Sequence, residues 1–206
     1  MPPQQKGFTI IELLISVSVF AFLVISVAML FTNVFSGSKQ GLLAVDNIDQ
    51  ARFFSSRFIN EIRNATTGVD GAYSLNTAEP TQIIFYSTIA NGGSTIYRIR
   101  YYLSGTTLYK GTVAPSGNPL SYNLAQEVIK PVQNDASSGA TPVIFTYYND
   151  SYDGSTTPLP QPVNVTMVKF VKIDLNILKQ TNQGASDVFS ISEGAAIRNL
   201  KTNLGN

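Results

Sequence analysis

Residues 6–31 read KGFTIIELLISVSVFAFLVISVAMLF, and the meaning of the one acid near their start, Glu12, decides how the chain is understood. Residues 13–31 form an uncharged run of 19. At roughly 1.5 Å per helical residue they span about 28 Å, the thickness of a bilayer's hydrocarbon core. Lys6 is the only basic residue ahead of the run, and basic residues favour the cytoplasmic side, so a short inner N-terminus and an outer bulk are expected. A cleaved secretory signal would also open on a basic residue, and Ser26-Val27-Ala28 could serve as its cleavage site. The apolar run, however, continues past Ala28 to Phe35, longer than a signal centre, and it carries Glu12.

An acid within a membrane helix costs about 2.5–3.5 kcal/mol near the bilayer centre and less near its edge, and it calls for a partner. A cut between Gly7 and Phe8 would supply one: a new α-amino group, with an ordinary pKa of about 7.7–8.0, four residues before Glu12. The acid would sit in the first helical turn, where the helix dipole favours it, and the amine of the same or a neighbouring copy could neutralise it. A role in setting register between subunits follows from the second possibility.

Lys6-Gly7-Phe8-Thr9-Ile10-Ile11-Glu12-Leu13-Leu14 resembles the class III signal of bacterial type IV prepilins and type II secretion pseudopilins. The resemblance implies cleavage after Gly7 by a prepilin peptidase, N-methylation of Phe8, and pairing of Glu12 with the amine of an adjacent subunit during assembly. It implies further partners: other pilins or pseudopilins, an inner-membrane assembly platform and membrane lipid. It also implies a single pass through the bacterial cytoplasmic membrane with the C-terminal domain outside, followed by entry into a surface or periplasmic filament. The leader, residues 1–7, is short, and Pro2 and Pro3 suit a segment outside the helix. The proline that many family members carry within the membrane helix is missing, and Gly37 and Gly41 are the nearest weak points.

The helix is expected to continue. Ala44, Ile48, Ala51, Phe54, Phe58 and Ile62 recur every three or four positions, with Asp46, Asp49, Arg52, Arg57, Glu61 and Arg63 on other faces. This stripe is expected to pack on the domain's own sheet, and Arg57 with Glu61 to form an i,i+4 pair worth a few tenths of a kcal/mol. Asn64 to Gly68 can end the helix, which from Phe8 would be about 85 Å long. The expected divisions are a leader at 1–7, a transmembrane or filament-core helix at 8–35, its amphipathic continuation at 36–64 and an extracytoplasmic β-rich domain at 65–206.

Past Gly68 the period changes to two. In residues 95–103 Tyr97, Ile99, Tyr101 and Leu103 share one face and Arg98 and Arg100 the other. Further strands are expected at 82–89, 107–113, 142–148, 168–178 and 187–192, between clusters of Gly, Pro, Asn and Ser. In 168–178, Val171, Ile173, Leu175 and Ile177 should face inward. A long helix followed by five or six such strands predicts an α+β fold, the helix packed on an antiparallel sheet, as in pilins. The segments SGTTLYKG, VIFTYYND and GAAIRNL resemble the J-type pseudopilins and W-type minor pilins.

With no cysteine and no histidine in 206 residues, disulfides, zinc sites of the Cys/His kind and Ser-His or Cys-His nucleophiles are excluded. No acid pair stands out for catalysis, and no cofactor or metal is expected. Residues 149–154, NDSYDG, open like a calcium loop, but Pro160 stands where a bidentate glutamate is needed, so a plain hairpin loop is expected. Arg98, Arg100, Lys169 and Lys172 near tyrosines could touch nucleic acid, but they read as a solvated face, and nucleic acid is not an expected partner. The net charge of +1 gives no general attraction to it.

The expected function is therefore structural: a minor pilin or pseudopilin of a type IV pilus, a type II secretion system or a DNA-uptake filament. It is not read as an enzyme. The alternative is a permanently anchored surface adhesin or binding protein that never polymerises, which would gain nothing from Glu12. A loop-rich domain of about 140 residues, with 149–162 projecting, would be bulky if repeated along a shaft, so a tip-located subunit is expected, binding its fellows through the helix stripe and adjacent sheet.

Overall fold

Helix α1 spans Ile10–Arg63. The structure, a computed structural model, describes residues 7, 9–88, 93–134, 136, 142–180 and 186–200, and only the backbone at 36–47, 178–180 and 186–187. The chain divides into two compact units, Met1–Leu43 and Ala44–Asn206. In the first unit, α1 exposes every apolar side chain of Ile10–Phe35, a stretch of 26 residues long and apolar enough to cross a membrane. Ser16, Ser18 and Ser26 donate their hydroxyls to the carbonyls of Glu12, Leu14 and Phe22 at 2.7–2.8 Å, and Thr32 to that of Met29 at 2.9 Å. The span's described hydroxyls are thus satisfied within the helix, as a hydrocarbon surrounding requires.

The second unit is α+β, with the rest of α1 packed on antiparallel sheet. Its strands are β1 (Leu75–Ala78), β2 (Gln82–Thr88), β3 (Ile96–Ser104), β4 (Thr107–Val113), β5 (Pro115–Ser116), β6 (Ser121–Tyr122), β7 (Val128–Gln133), β8 (Phe145–Tyr148), β9 (Phe170–Gln180) and β10 (Ser186–Ala196). They form a five-stranded sheet ordered β1-β2-β3-β4-β7, a three-stranded sheet ordered β10-β9-β8 and the small β5-β6 pair. Every pairing is antiparallel.

The helical stripe lies where its period places it: Ala51, Phe54, Phe58 and Ile62 are buried and Ile48 is half-buried. Phe58 joins the two larger sheets, its ring 6.3 Å from Phe85 on β2 and 5.5 Å from Phe145 on β8. Tyr101 on β3 completes the cluster, 5.4 Å from both Phe54 and Phe58. Each such ring contributes about 1.5–3 kcal/mol by leaving water. Ala51, Phe58 and Ile62 are covered by the domain's own sheets and are not available to partners, which corrects that part of the sequence reading; the side chain of Ala44 lies outside those described.

Strand β4 falls where alternation predicts it, and β2, β3, β8, β9 and β10 overlap their expected ranges with shifted ends. On β9, Val171, Ile173, Leu175 and Ile177 are buried as expected. Strands β1, β5, β6 and β7 lie outside the expected ranges. β1 has only four residues, and β7 carries Lys130 and Pro131, which weaken any strand signal. Arg98 and Arg100 are not a solvated face. Both are partly buried, and Glu127 holds them: Arg100 Nε donates to its carboxylate at 2.9 Å, Arg100 Nη2 makes the second bond of the fork, and Arg98 lies at 3.9 Å. Gly111 permits this, since a Cβ there would lie 2.3 Å from Glu127 Oε1.

Candidate functional site

The first site is the start of α1. Thr9 precedes the first helical residue and its carbonyl accepts the first helical bond, from Leu13 N–H at 3.2 Å. Three positions into the helix, Glu12 reaches back, its carboxylate accepting from Thr9 N–H at 3.1 Å and from Thr9 Oγ1 at 3.0 Å. Glu12 N–H in turn donates to Thr9 Oγ1 at 3.4 Å. Thr9-Ile10-Ile11-Glu12 is thus a reciprocal capping box, in which two otherwise orphaned backbone donors are satisfied. The T-x-x-E spacing is itself the sequence signal of such a box, beside the charge that Glu12 carries. Gly7 is exposed, and nothing lies within 4 Å of where its Cβ would be. Phe8 and the leader residues 1–6 lie outside the described residues.

The second constellation lies in the domain and centres on Glu61. Its carboxylate is fully buried, with 0% exposure, not on the outer face that the sequence reading gave it. Lys110 Nζ on β4 donates to Glu61 Oε1, Arg57 Nε donates to the same oxygen at 3.1 Å, and Tyr101 OH donates to Oε2 at 2.7 Å. Ser87 Oγ on β2 donates to the Glu61 carbonyl at 2.7 Å. The expected Arg57–Glu61 pair therefore exists, but as one part of a buried network. Burial holds the Lys110 ammonium below its ordinary value, with Glu61 pulling the other way, and burial followed by Glu61 pushes the Tyr101 hydroxyl well above its own. The signal was present in the sequence: Glu61 stands three residues after Phe58 and seven after Phe54, on the buried stripe, and Lys110 shares the inward phase of Leu108.

At the loop of 149–154, Asp153 Oδ1 accepts from Ser155 N–H and Oγ, both at 2.9 Å, and from Thr156 N–H at 3.0 Å and Oγ1 at 2.8 Å. These bonds favour its ionised form and hold its pKa well below the usual carboxylate range. The carboxylate is thereby engaged by its own loop. Among the described residues no three or more His, Cys, Asp or Glu side chains are grouped as a metal site would require.

Against known families, residues 2–28 match the prokaryotic N-terminal methylation motif. A search of curated proteins gives no match. The motif supports a type IV pilin-like protein processed at its N-terminus, and with the apolar helix it supports a membrane-anchored one. It implies a prepilin peptidase and other pilins as partners, and it points to a structural and not an enzymatic role.

Proposed function

We propose that the chain is a minor pilin or pseudopilin, cleaved between Gly7 and Phe8, N-methylated on Phe8 and assembled through Glu12 into a filament. The reading is carried by one observation: the methylation motif at residues 2–28 takes in the start of an apolar helix whose first turn holds an acid. The proposed divisions remain leader 1–7, membrane or filament-core helix 8–35, its continuation 36–64 and an extracytoplasmic domain 65–206. The domain passes to the outside of the cytoplasmic membrane, and the apolar helix leaves the bilayer when the filament forms. The pattern of segments noted above supports a J-type or W-type position. Of 14 basic and 13 acidic residues the leader contains only Lys6, so the mature side chains balance and no net charge repels similar subunits.

Mass spectrometry of the chain purified from its native membrane tests this. The mature N-terminus should be Phe8 carrying one added methyl, and replacing Gly7 with a bulky residue should leave the leader attached. A native chain that begins elsewhere would end the prepilin reading.

A further inference from the structure

Between α1 and the edge strand β7 lies a cleft of about 460 Å³, within the range of built ligand pockets. Its apolar walls are Phe53 and Phe54 on α1 and Val128 and Val132 on β7, and Phe53 is 71% exposed. Its charged lining is cationic, Arg57, Lys110 and Lys130, beside the neutral Tyr101 and Thr112. Lys110 and Lys130 are direct cross-strand partners, an arrangement of like charges that destabilises a sheet. Glu61, buried behind the lining, already serves Lys110 and Arg57. Lys130 is exposed and forms no ion pair among the described residues. Three cations thus face one carboxylate, and the fold gains nothing from the surplus.

A second carboxylate would halve the surplus of positive charge from two to one, and its carrier must also be apolar to cover the phenylalanine and valine walls. Strand addition does not explain the site, because Pro131 takes a backbone donor out of β7 and Lys130 guards it. We propose that the cleft is a docking pocket for a short segment of a partner protein that carries a carboxylate next to a bulky apolar side chain. The carboxylate pairs with Lys130 and the rim of Arg57 while the apolar group rests on Phe53 and Val128. Charge complementarity selects the segment and the walls hold it. This goes beyond the filament reading and does not rest on it, since neither processing at Gly7 nor the charge of Glu12 enters.

The test uses the full chain in detergent micelles and two capped peptides, Ac-Gly-Leu-Glu-Phe-Gly-NH2 and the same peptide with Gln for Glu, with binding followed by calorimetry or by NMR shifts. The acidic peptide should bind about tenfold or more tightly than the neutral one, as loss of a charge-assisted hydrogen bond implies. Lys130→Gln should remove that preference while leaving the melting temperature unchanged or raised, because a like-charge contact has been relieved. Phe53→Ser should weaken both peptides. Equal binding of the two peptides, or a Lys130→Gln chain that melts lower yet keeps its preference, would overturn the proposal. So would inorganic phosphate displacing the peptide at equal concentration, which would mean a bare anion site. Self-association of the chain that Lys130→Glu abolishes would make the occupant a second copy and also overturn it.

Discussion

Glu61 illustrates how a single residue sets local energetics here. A carboxylate with no exposure is tolerable only because Lys110, Arg57 and Tyr101 surround it, and removing one partner leaves the other charge stranded. Glu61→Leu should destabilise the domain by about 3–5 kcal/mol by leaving Lys110 buried and unpaired. Lys110→Met alone should cost a similar amount, whereas the double variant should recover most of the loss, since replacing both partners of a buried pair by apolar groups is often neutral. Thermal or denaturant melts of the four chains form a double-mutant cycle, and strictly additive losses would show that the pair does not act as a unit. At this scale the sequence was partly legible. The period of α1 places Glu61 among Phe54, Phe58 and Ile62, but whether an acid at such a position is buried depends on a cation arriving from β4, 49 residues away.

At the scale of elements, α1 uses one backbone geometry in two surroundings. Ile10–Phe35 leaves its apolar side chains exposed, while Ala51, Phe54, Phe58 and Ile62 close over a core. The first turn joins local and intermolecular roles in Glu12, and these can be separated by substitution. Glu12→Gln keeps a side-chain acceptor at the third helical position, so the capping box with Thr9 survives while the charge is lost; Glu12→Val loses both, with a cap worth about 1 kcal/mol. If Glu12 acts in assembly by its charge, both variants should insert and be processed at Phe8 yet enter filaments poorly, as measured by the ratio of the variant in sheared filaments to that in membranes. Normal incorporation of Glu12→Gln with loss only in Glu12→Val would reduce Glu12 to a helix cap. Among the strands, alternation located β4 and β9 because each has one face in the core. It did not locate β7, four of whose six residues are exposed and whose place is set by pairing with β4.

At the scale of the whole molecule, pH acts through buried tyrosines. Tyr101 and Tyr147 have folded pKa values raised well above the ordinary 10.0, chiefly by burial, and Tyr147 OH also donates to the Glu79 carbonyl at 2.8 Å. The unfolded chain ionises these groups near pH 10 while the folded chain keeps their protons. The stability they carry is therefore complete below about pH 10 and is lost as pH rises beyond it. Lys110, whose folded value is lowered, acts in the opposite sense up to its unfolded value of 10.5, but it is one group against two tyrosines. The melting temperature should therefore be nearly flat over roughly pH 7–9 and fall above about pH 10, and Tyr147→Phe should melt lower overall with a shallower alkaline fall. A melting temperature that rises through this range would contradict the assignment. For the assembled state, the proposed minor position predicts few tagged copies per filament, confined to one end, when labels are counted by immunogold microscopy. Labels spread along the shaft in equal number to the main subunit would make the chain a major pilin.

The sequence by itself determined the apolar helix, the methylation motif and the acid at its start, the buried stripe of α1 and most of the strands. Each is written in residues close together in the chain, where hydropathy, period and spacing act directly. Only the tertiary structure decided the strand order, the burial of Glu61, the capture of Arg98 and Arg100 by Glu127, and the cationic cleft beside β7. These depend on which distant segments meet: Lys110 becomes a buried partner only because a sheet carries it to a carboxylate on the helix.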